Sequence, residues 1–439
     1  MNPPVEAPPG LLRRLPRRFW YRFLLACAVV LALEAVFEHV VENEDFPGIT
    51  QSVFNISGLY QRIVASPRDP IVRYTQVVII DPEKDPSVPG LTEVCEQRQK
   101  MTILLRNMAK ALPDVIVFDK YFSKSCPGDA EFIQTVQDLR RNTIPVVVGR
   151  RIADESSSAN SEKNYYLLPS LALGEPCQQP CLNVDDSTKL QEGVVNIDPD
   201  TRRLPLQWWV FPGTDAAKEG KGGAYRDTLA LSAARSYNDQ LLNDHPRLAR
   251  FIKSEAHPYI SFLKAADFQP IPVGDLLKPD AVVEAASGSP ALPKLSPQLR
   301  KLSGKIVLIG EINPDVDEHP TVVGRMSGVY LQANYIEALM DDRYYRPVPV
   351  LDYAFGFLIL AALELILIAY RDRWLVMAGL IALLMFAAAF VLYLFIKLPG
   401  WYVNPVPVGA AAVLIKVLHV LFAPAERELE AAEHPPAHH

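Results

Sequence analysis

The stretch "LSGKIVLIGEINPDVDEHPT", Leu302–Thr321, decides the reading of the chain. A polar turn leads into an unbroken apolar strand at Lys305–Ile309, and the strand ends in a loop carrying Gly310, Glu311, Asp315, Asp317, Glu318 and His319. Several chemistries compete for that loop. The pair Gly304-Lys305 resembles part of a phosphate loop, but a Walker loop follows its strand and opens a helix, so that its amides converge on phosphate. Here the pair precedes the strand and reads as a turn. Asp315, Asp317 and Glu318 carry the oxygens a hard cation prefers. The central glycine and distal glutamate of an EF-hand loop are missing, and acids in an exposed loop are ordinarily solvated, so no metal is assigned. Neither G-x-S-x-G nor H-E-x-x-H occurs. No catalytic residue is nominated, the chain is not read as an enzyme, and no cofactor is expected.

Upstream, the same kind of strand recurs. "YTQVVIID" (Tyr74–Asp81) and "PDVIVFDKYF" are apolar and run into Asp81 and Asp119, and "TIPVVVGRR" follows them. Between them, Glu93–Leu112 places Met101, Leu104, Leu105 and Met108 on one helical face, and "DAEFIQTVQDLRRN" reads as a second helix. Strand and helix alternating in this way predict an α/β domain with a largely parallel, helix-covered sheet. Ligands of such sheets bind beyond the carboxyl ends of the strands, which nominates Asp81, Asp119, Glu311 and Asp317 as ligand-binding residues. The competing reading is that these acids cap loops and helix starts, where carboxylates are favoured without a ligand. Residues 150–192 read as irregular. "GVVNIDPDTRRLPL" (Gly193–Leu206) reads as two strands about an Asp-Pro-Asp turn, and "DTLALSAARSYNDQLL" as a helix. Residues 244–302 read as irregular apart from a strand at "YISF", and "SGVYLQANYIEALMDDRYYRP" as a helix.

The 439 residues carry a net charge of −6, which points to no polyanion, so no nucleic-acid partner is expected. Apolar runs gather at both ends. Phe19–Phe37, Val350–Tyr370, Trp374–Ile396 and Val403–Phe422 are each near the roughly 20 residues that cross a bilayer as a helix. The first follows four arginines, as a signal peptide would, but it is long for one and lacks a small-x-small cleavage site. Basic residues gather before Phe19 and at Arg371–Arg373, which sets those segments inside. The predicted organisation is then a cytoplasmic segment 1–18, span 19–37, a periplasmic domain 40–346, spans 350–370, 374–396 and 403–422, and a cytoplasmic tail 423–439. The α-helical membrane region has four spans, in a bacterial-type inner membrane with both termini cytoplasmic. Outside, Cys95, Cys126, Cys177 and Cys181 form an even set in an oxidising compartment, suggesting the pairs Cys95–Cys126 and Cys177–Cys181, with four unpaired thiols as the alternative. Glu364 falls mid-span, where a carboxylate costs about 3 kcal/mol unless it pairs or protonates. It either fills the bundle as a neutral or paired group, or couples helices or subunits.

Taken in order, "VVIID", "VIVFDKYF", "GVVNIDPDTRRLPL" and "GKIVLIG…D…HPT…SGVYLQANYIEALMDDRYYRP", followed by three spans, resemble the CHASE2 family of extracytoplasmic sensor domains over residues 45–346. The resemblance implies that the opening stretch is the last core strand of the sheet with its return loop. It also implies sensing of an external stimulus, usually passed to a fused kinase or cyclase. No such module follows Phe422, so the expected partner is a separate signalling or envelope protein reached through the bilayer, with self-association left open. The alternative is a structural or assembly scaffold of an envelope complex.

Overall fold

The computed structural model describes residues 71–81, 94–122, 126–155, 164–168, 191–198, 200–213, 222–254, 257–278, 282–283, 294–312, 317–370, 373–397 and 400–403, with residues 20, 23, 24, 27, 28, 31, 216, 217 and 220. Cys177, Cys181, Asp315, segments 1–18 and 423–439, and the predicted span after Val403 lie outside these residues. The chain divides into two compact units, Arg68–Tyr345 on the one hand and Met1–Pro67 with Arg346–His439 on the other.

The larger unit is built on six parallel strands: β1 (Thr75–Ile80), β2 (Val115–Tyr121), β3 (Val146–Arg150), β4 (Gln191–Val194), β5 (Ile271–Pro272) and β6 (Ile306–Glu311). Their order across the sheet is β5-β1-β6-β2-β3-β4. The strand read first is thus the last of the six in the chain and one of the two central ones. It lies along β1 from Thr75↔Ile306 to Ile80↔Glu311, and along β2 from Val115↔Ile306 to Phe118↔Ile309. Both faces are covered, which is why Ile306, Val307, Leu308 and Ile309 are all buried without alternation.

Helices α1 (Val94–Ala109) and α2 (Asp129–Arg141) cover one face. Met101, Leu104, Leu105 and Met108 of α1 pack there with Phe132 and Val136 of α2 on Val78, Ile80, Ile116, Phe118, Val307 and Ile309. Acids in the first turn of α2 and Arg140 and Arg141 in its last turn suit the helix dipole. Cys95 and Cys126 form the predicted disulfide, tying the start of α1 to the segment before α2. Helices α3 (Leu229–Tyr237) and α4 (Gly328–Met340) cover the other face. Twelve of the thirteen residues of α4 are buried, Gln332, Asn334 and Glu337 among them. A polar side chain so placed needs partners. Gln332 donates to Val195 O at 3.0 Å, and Asn334 exchanges hydrogen bonds with Leu263 N and O at 2.6 and 3.2 Å.

Four local readings of the sequence are corrected. Residues 150–192, read as irregular, hold paired strands at Ile152–Glu155 and Asn164–Leu167. Only the first arm of "GVVNIDPDTRRLPL" is a strand. The Asp200 carboxylate turns back onto Arg202 at 2.7 and 2.8 Å, and the following backbone bonds sideways, Leu204 N to Pro258 O and Ile260 N to Arg202 O. The helix read over residues 227–242 stops at Tyr237, because the Asn238 side chain accepts from Gln240 N at 2.9 Å and makes a turn. The segment 244–302 holds more than the strand at Tyr259–Ile260: it also supplies β5 and a helix at Pro246–Lys253.

In the smaller unit, α5 (Pro349–Ala369) and α6 (Trp374–Lys397) are long and apolar enough to cross a membrane. Leu358, Leu375, Leu383 and Phe386 are exposed on them, and helices apolar on all sides need lipid rather than water as solvent. Trp20, Phe23, Leu24, Cys27, Ala28 and Leu31, within the first predicted span, are helical.

Candidate functional site

The carboxyl ends of β1, β6 and β2 lie side by side, so the sheet brings the nominated acids to one edge. It does not bring them to one face. Neighbouring residues of a strand point to opposite sides, and the alternation divides the four. Asp81, Asp119 and Asp317 belong to the α4 side. Asp81, buried just beyond β1, raises the Tyr330 hydroxyl of α4 above its ordinary pKa after burial itself. Asp119 is pushed up to about 8, first by loss of water and then by the Asp317 charge. Asp317 sits at the start of α4, accepting from Gly328 N with its backbone oxygen and with Oδ2, both at 3.1 Å. His319 Nε2 is 3.3 Å from its Oδ1.

Glu311 faces the other way. It lies 3.4 Å from Lys120 Nζ and accepts from Gln97 Nε2 of α1 at 3.3 Å, while Lys120 also donates to Gln97 Oε1. Burial lowers the Lys120 pKa, and Glu311 opposes the change. On that side Arg98 pairs with Asp129 and lies over the Phe122 ring, 4.7 Å from its centre, and Asp129 accepts from Cys126 N at 2.8 Å. The ion pair and the disulfide thus close one flank of the edge together.

Gly310 separates the two sets and sets their spacing. A Cβ there would lie 2.5 Å from Val329 Cγ2 and 3.3 Å from Asp119 Cβ. Only glycine lets the first turn of α4 rest on β6 with Asp119 beside it. The glycine that the opening stretch places at its strand end is therefore a packing requirement.

Among the described residues no group of three or more His, Cys, Asp and Glu is arranged to hold a metal. Asp317 and Glu318 do not converge, for Glu318 turns to Arg325 at 2.9 Å. What the α4 side offers instead is a proton held on Asp119 near neutral pH, next to a carboxylate that organises a helix start.

Sequence reasoning missed Lys120 and Gln97, although the Asp119-Lys120 pair within a two-faced strand carried the signal for Lys120. It also missed Glu337, at the opposite end of α4. This side chain accepts from Arg73 N (3.1 Å), Tyr74 N (2.8 Å), Thr75 N (2.6 Å) and Thr75 Oγ1 (2.8 Å), and so fixes the chain as it turns into β1. Arg73 and Asp341 approach to 4.0 Å beside it.

A helix-covered parallel sheet followed in the chain by two helices long and apolar enough to cross a membrane defines a class: an α/β domain carried on a membrane anchor. A family model for the CHASE2 domain matches residues 25–369, and the chain belongs to that family. CHASE2 is a sensor-type extracellular domain. No curated protein and no solved structure matches the chain.

Proposed function

We propose that this chain is a membrane-anchored sensor that detects an extracytoplasmic stimulus and signals through its membrane helices to a separate partner protein. Family membership supports the sensing role, and one feature of the fold carries the rest. The chain enters the larger unit at Arg68 and leaves it at Tyr345. Glu337 and Asp341, at the end of α4, hold residues 73–75, so the two connections to the membrane unit depart from one hydrogen-bonded knot. Helix α4 begins at the other end of the sheet, against Asp317 and Asp119. A stimulus that shifts the start of α4 would therefore be felt at both connections. Glu364, buried on α5 within the chain, is the polar group proposed to couple the membrane helices through which the partner or a second copy is reached.

The test is purification of the full chain from native membranes and identification of what comes with it. A cytoplasmic signalling protein is the expected companion, and Asp81→Ala and Asp317→Ala should then blunt its output while the domain stays folded. Intact output in both variants would remove the carboxyl edge from the mechanism. Companions drawn solely from an envelope complex would favour a scaffold instead. Phosphatase fusions after Pro258, Arg373 and Glu426 should be active outside at the first alone, and crosslinking to the partner or a second copy should weaken more with Glu364→Leu than with Glu364→Gln.

A further inference from the structure

Apart from the nominated acids, the larger unit contains an open cleft of about 800 Å³ at the outer strands of the sheet. That is within the span of volumes typical of small-molecule sites, roughly 300–1,000 Å³. It lies where the outer strand β4 and helix α3 meet a second sheet, formed by Ile152–Glu155, Asn164–Leu167, Gln207–Phe211 and Ala224–Asp227.

The charges in the cleft cancel. Arg150, Arg226 and Arg235 are matched by Glu192, Asp227 and Asp239, three against three. Arg150 lies 3.2 Å from Glu192, and Arg235 lies 2.6 Å from Asp227, which also accepts from Gln207 Nε2 at 2.7 Å. A site for a free anion or cation carries an excess of one sign, and this one has none. Its planar amide, carboxylate and guanidinium groups instead suit a neutral ligand rich in hydroxyls, which both donate and accept.

The second observation is an aromatic pair on the hairpin that supplies this wall. In the hairpin of Gln207–Phe211 with Ala224–Asp227, Gln207 pairs with Asp227 and Trp209 with Tyr225. Positions two apart share a face and lie about 7 Å from each other, so a polar pair and an aromatic pair stand next to each other. Trp209 is 47% and Tyr225 41% exposed, their ring centres 4.9 Å apart, and Tyr225 lines the cleft. The indole is seated: a Cβ on Gly223 would come within 2.6 Å of its Cε2, so the ring rests directly on the backbone. A pyranose has the matching anatomy, with an apolar C–H face to lie on an aromatic ring and a rim of hydroxyls for planar polar partners.

We propose that this cleft binds a neutral glycan, one sugar ring stacked on Tyr225, whose ring Trp209 holds from outside the cleft in a T-shaped contact at 66°, and the next bonded by Gln207, Asp227 and Arg235. The proposal goes beyond the sensor reading, since binding does not require signalling.

The experiment uses the full chain in lipid nanodiscs, because sugar-headed detergents would fill the cleft. Tetra-N-acetylchitotetraose, cellotetraose and maltotetraose are titrated by calorimetry and tryptophan emission. Saturable binding of at least one is expected, weakened about tenfold or more by Trp209→Ala and by Tyr225→Ala. Both side chains are exposed, so these variants should keep the fold, which protease resistance would verify. Gly223→Ala should weaken binding as well by lifting the indole. Preference for the acetylated probe would assign the ligand to cell-wall-type glycan, and preference for the plain probes to unmodified oligosaccharide. No binding by any probe up to about 10 mM, or binding indifferent to Trp209→Ala, would overturn the proposal. Such a failure would leave the partner and signalling experiments standing.

Discussion

Acids meet helix α4 at both ends, its own Glu337 at one and Asp317 and Asp119 from neighbouring segments at the other, and the two ends treat them in opposite ways. Near its last turn, Glu337 is buried and accepts from three backbone N–H groups and one hydroxyl. At its first turn, Asp119 is deprived of water and set against the like charge of Asp317. Both lose water, Glu337 wholly and the half-buried Asp119 in part, but the ring of donors belongs to Glu337. A carboxyl group ringed by donors becomes a fastener, whereas one facing another carboxylate keeps its proton towards neutral pH and becomes sensitive to its surroundings. The difference suggests a division of labour, with a fixed end at the membrane connections and a responsive end at the strand tips.

The largest expected effect is at the fixed end. Glu337→Leu strands four donors at once, each worth about 1–3 kcal/mol when buried without a partner. The substitution should cost about 4 kcal/mol or more, read by chemical denaturation or pulse proteolysis of membrane-embedded protein. Glu337→Gln retains one acceptor oxygen and should fall between. A mild effect from Leu would break the comparison, since the knot would not be fastening anything.

Next comes the disulfide that clamps the responsive end from the α1 side. Cys95 and Cys126 are 31 residues apart, and closing a loop of that length is worth about 3 kcal/mol. Cys95→Ser with Cys126→Ser should lower stability by that order. It should also raise hydrogen exchange at the start of α1 more than at β1.

Asp119 should reveal itself as a slope rather than a single loss. Its pKa in the folded chain is raised from 3.8 to about 8. The folded state therefore holds the proton more tightly than the unfolded chain. The resulting stabilisation is complete below about pH 4 and disappears as pH rises through about 8. Denaturation midpoints measured from pH 4 to 9 should decline across this window for the natural chain, and Asp119→Asn should flatten the decline. An unchanged slope in Asp119→Asn would assign the titration to another group.

The smallest effect is expected at Glu311, whose pairing with Lys120 is partly buried. Glu311→Gln keeps a bond to Gln97 within reach and should cost about 1 kcal/mol. A much larger loss would make this flank as fastened as the Glu337 knot.

Much of this was legible beforehand. The apolar runs at Thr75–Ile80, Val115–Tyr121 and Ile306–Glu311 had to be strands covered on both faces, because no face of them was fit for water. The heptad-like spacing of Met101, Leu104, Leu105 and Met108 announced α1, and the hydropathy of α5 and α6 announced lipid. The edge on which Asp81, Asp119 and Glu311 fall followed from strand direction alone. The failures have different causes. Strand β5 is only two residues long, the helix after Asp227 is ended by the short-range turn at Asn238, and the second arm of the supposed hairpin bonds to Pro258 and Ile260, distant partners that no local pattern reveals.

Local sequence thus determined the main core strands, the helices over them and the two apolar helices α5 and α6, since periodicity and apolar length are properties of a few neighbouring residues. Tertiary structure alone decided that the last strand, β6, is inserted between the first two, that Glu311 parts company with Asp119 across the sheet, and that Glu337 reaches back 262 residues to Thr75. Such outcomes depend on which distant backbone groups are left needing a partner once the layers have packed, and that need exists only in the folded chain.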